Sequence, residues 1–159
     1  MVMGVSAAGK STVGRGLAGE LDLRFVDADD LHPPGNRAKM ESGRPLTDED
    51  RWPWLDLVGA EIARDTRVVV ACSALRRSYR DRLRLRAPDL ALIHLHAPTP
   101  VLESRATSRE DHFMPPSLLS SQLATLERLG DDERGITIDV SVDAAEVIAT
   151  ATEWARAHG

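Results

Sequence analysis

Gly4-Val5-Ser6-Ala7-Ala8-Gly9-Lys10-Ser11 has the spacing G-x-x-x-x-G-K-[ST], and it stands between a short apolar start and a helix-like stretch. That pattern binds polyphosphate. Successive backbone N–H groups and the positive end of the following helix meet the phosphate oxygens, Lys10 reaches the β and γ positions, and the Ser11 hydroxyl ligates Mg²⁺. Thr12 adds a hydroxyl toward the α-phosphate. Loops of this type often carry glycine where this chain has Ala7 and Ala8, so both alanines are expected in ordinary backbone regions, because alanine at positive φ costs energy. The implied ligands are ATP and Mg²⁺.

A phosphate loop does not name the acceptor. Asp27 and Asp29, with Asp30 beside them, follow a second apolar run, where ligands of open parallel sheets collect. One carboxylate supports hydrated Mg²⁺ and the other accepts the proton of an attacking hydroxyl, the division of labour that phosphoryl transfer needs. A solvated acidic turn or a helix cap has the same letters, and the adjacent phosphate loop favours the chemical reading. His32 follows at once. Arg76, Arg77 and Arg80 open the segment after a third apolar run, and planar guanidinium groups suit an anionic, carboxylate-bearing acceptor. Arg82, Arg84 and Arg86 are expected on a solvated face, and Trp52 and Trp54 are expected to pack. Arg105 and Arg109 are four apart, so they share a helix face, and they lead into a Pro-rich stretch ending at Pro116. This stretch, about 105–116, is expected to be a lid whose arginines close over the β and γ phosphates and exclude water.

Five apolar runs rich in β-branched residues must position these groups: 1–4, 23–26, 67–72, 90–95 and 135–140. Between them lie helix-like segments at 10–21, 36–42, 47–64, 76–86, 99–108, 117–128 and 144–157. Strands alternating with helices predict an α/β fold, a three-layer α/β/α sandwich around a five-stranded parallel sheet. Thr47 and Asp50 form a capping pair, and Pro53 is expected to split the third helical segment into a turn and a longer helix. Two segments, 27–47 and 108–116, are too polar and too punctuated by Pro and Gly for the core, as befits substrate capture or closure. Only three residues precede Gly4, which leaves two readings, a truncated central strand or a start further upstream.

With 159 residues the chain is long enough for one domain, expected to span 1–159. A formal charge of −5 removes the electrostatic basis for nucleic-acid binding. No apolar run has the length of a membrane span, and no signal-peptide pattern opens the chain, so a cytoplasmic protein is expected. Cys72 is alone and sits in an apolar run, where a buried thiol is expected. The 20 basic residues include only two lysines, Lys10 and Lys39. Asp56-Leu57-Val58-Gly59 spells the D-x-x-G of GTPase switches, but it lies in a helical stretch and no N-K-x-D accompanies it.

The residues at 5–12, the block Asp27-Ala28-Asp29-Asp30-Leu31-His32-Pro33, the stretch 36–40, the block 45–55 with its Trp52-Pro53-Trp54, the block Ala71-Cys72-Ser73-Ala74-Leu75-Arg76, Tyr79-Arg80-Asp81 and His112-Phe113-Met114-Pro115 together closely resemble the bacterial thermoresistant gluconokinase family. The blocks run in order over most of the chain. The resemblance implies transfer of the ATP γ-phosphate to the 6-hydroxyl of D-gluconate, a fold like that of shikimate and adenylate kinases, and a homodimer. Residue by residue, it implies that Asp29 contacts the acceptor hydroxyl as base, that Asp27 is nearer Mg²⁺, and that His32, Lys39, Arg51, Arg76, Arg80 and His112 form the gluconate pocket. Lys10 and Arg109 complete the catalytic set. The family has Arg-Lys-Gly before His-Phe, whereas this chain has Arg109-Glu110-Asp111, and two acids beside a polyphosphate are expected to reduce ATP affinity. Two other readings share the phosphate loop: a shikimate-type or other sugar-acid kinase, and an ATP-binding regulator with little turnover.

Overall fold

The apolar runs become strands buried on both faces in the computed structural model, which describes residues 1–108 and 117–158. The strands are β1 (Val2–Met3), β2 (Arg24–Asp27), β3 (Val68–Cys72), β4 (Leu92–His96) and β5 (Gly135–Asp139), all parallel, in the order β2-β3-β1-β4-β5. Seven helices are described: α1 (Lys10–Leu21), α2 (Pro34–Glu41), α3 (Asp48–Arg64), α4 (Arg77–Arg84), α5 (Thr99–Thr107), α6 (Ser117–Thr125) and α7 (Ala144–His158). A 3₁₀ turn spans Ala28–Leu31. Val2, Val69, Ile93 and Leu95 face one way and pack with Val13 and Leu17 of α1, Leu102 of α5 and Val147 of α7. Met3, Val70, Cys72 and Leu92 face the other way, onto Leu55 and Val58 of α3 and Leu83 of α4. Adjacent strand residues thus feed opposite layers, which gives the α/β/α sandwich.

The first strand is as short as the sequence suggested. Two residues pair with β3 on one side, Met3 with Cys72, and with β4 on the other, Met3 with His94. The chain then turns at Gly4, with φ +145°, where a Cβ would stand 2.7 Å from the Leu95 carbonyl. Only glycine lets the loop leave the sheet so close to β4.

Two expectations about the backbone are corrected. Pro53 does not divide its segment, because α3 runs unbroken through it from a capping box in which Thr47 and Asp50 satisfy each other's N–H groups. Both Pro53 and Glu49, four residues earlier, are exposed, so the carbonyl that the proline leaves without a donor faces water. Ala7 is not in an ordinary region: its φ is +64°, in the left-handed region, while Ala8 has no positive φ. The loop needs that turn to bring its N–H groups inward, and alanine fits it at a cost of about 1 kcal/mol. Part of the segment 27–47 is ordered as the 3₁₀ turn and α2. Cys72 is buried as expected, and burial pushes its thiol up to about 12.

Candidate active site

The site is assembled where β1, β2 and β3 end. Gly9, at φ +89°, caps α1 and aims the first N–H groups of that helix at the loop's interior. Nothing lies within 4 Å of the Cβ that Gly9 lacks, so the mouth of the loop is open. The Lys10 ammonium donates to the Val5 carbonyl at 2.9 Å and so lies across the loop. The Ser11 hydroxyl donates to Asp27 Oδ2 at 2.6 Å. This hydroxyl and carboxylate, on α1 and the end of β2, are a hard, oxygen-only pair of the kind Mg²⁺ takes when phosphates and water complete its octahedron. Among the described residues no group of three or more His, Cys, Asp or Glu could hold a metal by itself.

One pocket adjoins the loop. Lys10, Asp29, His32, Arg51, Ser73 and Gln122 supply most of its polar lining, and Met40, Leu46, Trp54, Leu75 and Leu118 much of its apolar wall. Asp29 follows Asp27 through an Asx turn, its N–H donating to Asp27 Oδ1 at 3.2 Å. One carboxylate thus faces Ser11 and the other lines the pocket. His32 is buried and its ring stacks on Trp54 at 4.1 Å between centroids, while the indole Nε1–H donates to the Ala28 carbonyl at 2.7 Å. Burial, and then the charges of Arg37 and Arg51, lower His32 to about 4, so it is neutral at physiological pH. Arg51 is held by the Leu46 carbonyl at 2.6 Å and the Tyr79 hydroxyl at 3.2 Å. Trp54 therefore both packs and lines the pocket, while Trp52 packs edge-on against Tyr79.

Other expected site residues stand elsewhere. Arg80 is corrected: it is fully buried, and its five N–H groups are consumed by Glu133, at 2.8 and 2.7 Å, and by the carbonyls of Ala74, Leu75, Glu127 and Arg128. No donor is left for a substrate. Its work is behind the pocket, bracing the turn after β3 in which Ala74 holds φ +42° and Ser73 reaches the lining. Lys39 donates to both carboxylate oxygens of Asp50, at 2.6 and 2.7 Å, tying α2 to α3 outside the pocket lining. Arg76 bonds Asp48 at 3.0 Å, likewise beyond the lining. Arg105 donates to the Val140 carbonyl at 2.6 Å, just past the end of β5. Arg84 is also corrected, since it joins Asp81 and Glu133 and is not on a solvated face. Arg109 and His112, and with them most of the expected lid, lie outside the described residues.

Sequence reasoning missed Gln122, Ser73 and Asn36. Gln122, on α6, accepts from the Ser6 N–H at 2.5 Å, so a side chain from 116 positions downstream meets the phosphate loop. It stands in no recognisable motif, and nothing in the local pattern of 117–125 marks it. Ser73 was legible only inside the block after β3.

The profile of a family described as an AAA domain matches residues 1–129. A gluconokinase of Gluconobacter oxydans is 49% identical over 142 residues, covering 87% of this chain and 80% of that protein. The thermoresistant gluconokinase of Escherichia coli is 39% identical and covers 96% of this chain and 90% of its own length. In structure, a gluconokinase from Sinorhizobium meliloti superposes with a TM-score of 0.91 at 48% identity, over 99% of this chain and 91% of that one. A shikimate kinase from Aquifex aeolicus, at 15% identity and a TM-score of 0.63, shares the fold alone. A phosphate loop beside a pocket lined by Asp29, His32 and Arg51, on a chain so similar over nearly its whole length to several such enzymes, places this chain in the gluconokinase family of P-loop kinases.

Proposed function

We propose that this chain is an ATP-dependent gluconokinase that transfers the γ-phosphate to the 6-hydroxyl of D-gluconate, giving 6-phosphogluconate and ADP. The observation that carries the reading is one pocket lined both by Lys10 of the phosphate loop and by Asp29, His32 and Arg51 of the acceptor blocks. Bound Mg²⁺ supplies neutralisation of phosphate charge, and Ser11 and Asp27 are the residues that would hold it. Asp29 takes the hydroxyl proton as the acceptor oxygen bonds to phosphorus, and Lys10 with the loop N–H groups holds the charge left on the departing diphosphate. Arg51, fixed by Leu46 and Tyr79, offers a guanidinium to the sugar-acid carboxylate. The apolar wall of Met40, Leu46 and Leu118 keeps water from competing with the acceptor.

The same reading includes one kinase domain over 1–159 with a lid near 105–116, in which Arg105 and Arg109 serve the phosphates and His112 the acceptor. It also includes a homodimer, resting on the family resemblance, and a cytoplasmic location, resting on a sequence with no membrane-span run and no signal-peptide pattern. No described helix is long and apolar enough to cross a membrane. The test is ADP release measured by a coupled assay with gluconate, shikimate, glycerate or no acceptor. Turnover confined to gluconate is expected. Equal turnover with shikimate would favour a broader sugar-acid kinase, and acceptor-independent or absent turnover an ATP-binding regulator.

A further inference from the structure

Asn36 lies on α2, outside the pocket lining, yet it is buried and its side-chain nitrogen faces two acceptors. Its Nδ2 stands 2.8 Å from the backbone carbonyl of Asp50 and 3.3 Å from Nδ1 of His32. A carbonyl oxygen only accepts, so the amide atom facing it must be the nitrogen. The second hydrogen of that same nitrogen is then directed at His32 Nδ1, which must answer with a lone pair. A neutral imidazole with a bare Nδ1 carries its hydrogen on Nε2. Nε2 is the ring atom that faces the candidate base, 3.8 Å from Asp29 Oδ1. That gap is longer than a hydrogen bond and closes with a small movement of an exposed carboxylate. The ring itself cannot turn away, because it is stacked on Trp54, whose own N–H is tied to Ala28.

We propose that Asn36 is a positioning residue of the transfer site, holding His32 in the Nε2–H tautomer so that the ring presents a fixed hydrogen-bond donor to Asp29. The chain of contacts runs from the Asp50 carbonyl through Asn36 and His32 to the carboxylate. A donor on Oδ1 fixes the carboxylate plane and so the direction from which it meets the acceptor's proton. With the other tautomer, two lone pairs would face each other across the same gap. The inference rests on the phosphoryl-transfer reading for Asp29, but the tautomer itself does not depend on which sugar acid is the acceptor.

The test is a long-range ¹H–¹⁵N correlation spectrum of the histidine rings in the unliganded full-length protein near neutral pH, with His32 assigned by its loss in His32→Gln. A single Nε2–H tautomer is expected for His32; an Nδ1–H ring or an averaged signal would overturn the proposal. Asn36→Leu should mix the two tautomers and lower kcat with gluconate on the order of tenfold, with ATP Kd unchanged. A pure Nε2–H signal, or full kcat despite mixed tautomers, would contradict it. Should Asn36→Leu fail to fold, His32→Gln and His32→Asn decide instead. The glutamine amide reaches the Nε2 position and should retain more activity than asparagine, which mimics Nδ1; equal activity counts against the relay. Absence of gluconate turnover in the wild type would sink the gluconate reading while the spectrum still ruled on the tautomer.

Discussion

Asp29 and Asp27 are two residues apart at the end of one strand, and the turn between them sets the first in the pocket lining and the second against Ser11. Replacing Asp29 by Asn preserves the shape and removes the base, so kcat should fall by about 10² or more while ATP binding, measured by calorimetry, stays within about twofold. Comparable activity in that variant would refute the role. The alanine at φ +64° makes a second point. Ala7→Gly should be tolerated, whereas Ala7→Val puts a β-branched side chain in the left-handed region and should weaken ATP binding at least about tenfold. At this scale the sequence was most informative where chemistry and backbone coincide, at Lys10, Ser11, Asp27 and Asp29. It was least informative where letters match a motif but burial decides. Arg80 and Lys39 are charged residues inside the right blocks, yet Glu133 and Asp50 claim them, and those partners are 53 and 11 positions away. Asn36 stood in the stretch 36–40 without a role, because its use depends on which hydrogen-bond partners the fold brings to it.

At the scale of elements, α3 carries both the stability and the shape of the acceptor side. Its first turn holds Thr47, Asp50 and, through Asp50, Lys39 of α2. The bonds from Lys39 and Thr47 hold the Asp50 carboxyl down at about 2. Thr47→Ala removes the cap and should cost about 1 kcal/mol in urea unfolding, with a loosened α2 visible as faster amide exchange over 34–41. Strands and helices were legible nearly to the residue because their apolar periods are strong. The error at Pro53 has a simple cause: proline breaks a helix when the freed carbonyl is buried, and the sequence does not say that Glu49 faces water. The helix α6 was legible too, but not the contact from its Gln122 to Ser6, which is set by the packing of Leu119 into the core beside the phosphate loop.

For the whole molecule, the ion network of α4 with residues 127–134 closes the back of the pocket. Glu133, fully buried, takes bonds from Arg80, Arg84 and the Gly130 N–H. Burial pushes its carboxyl up, and those bonds outweigh the burial and hold it at about 2. Glu133→Gln leaves Arg80 buried without its counter-charge and should destabilise the protein by about 3–5 kcal/mol. His94 on the central sheet gives the acid response its shape. Burial, then His96, Arg80 and Arg128, lower it to about 4, and its Nε2 has no partner among the described residues. The folded state resists protonation there while the unfolded chain protonates near 6.5, so this stability is complete above 6.5 and is lost as pH falls toward about 4. His32 adds in the same direction. His94→Leu should flatten urea-midpoint loss across that window, and an unchanged slope would contradict the account. The overall architecture was readable from alternation alone, whereas this network was not, because its acids lie in a polar stretch that reads as an ordinary loop. The central claim, that the pocket delivers a phosphoryl group to the terminal hydroxyl of a sugar acid, is tested most directly by ³¹P NMR of a reaction containing the protein, ATP, Mg²⁺ and D-gluconate. The account predicts a phosphomonoester coupled to the C6 protons of gluconate, formed in step with ADP and absent in Asp29→Asn; inorganic phosphate as the sole new signal would contradict it.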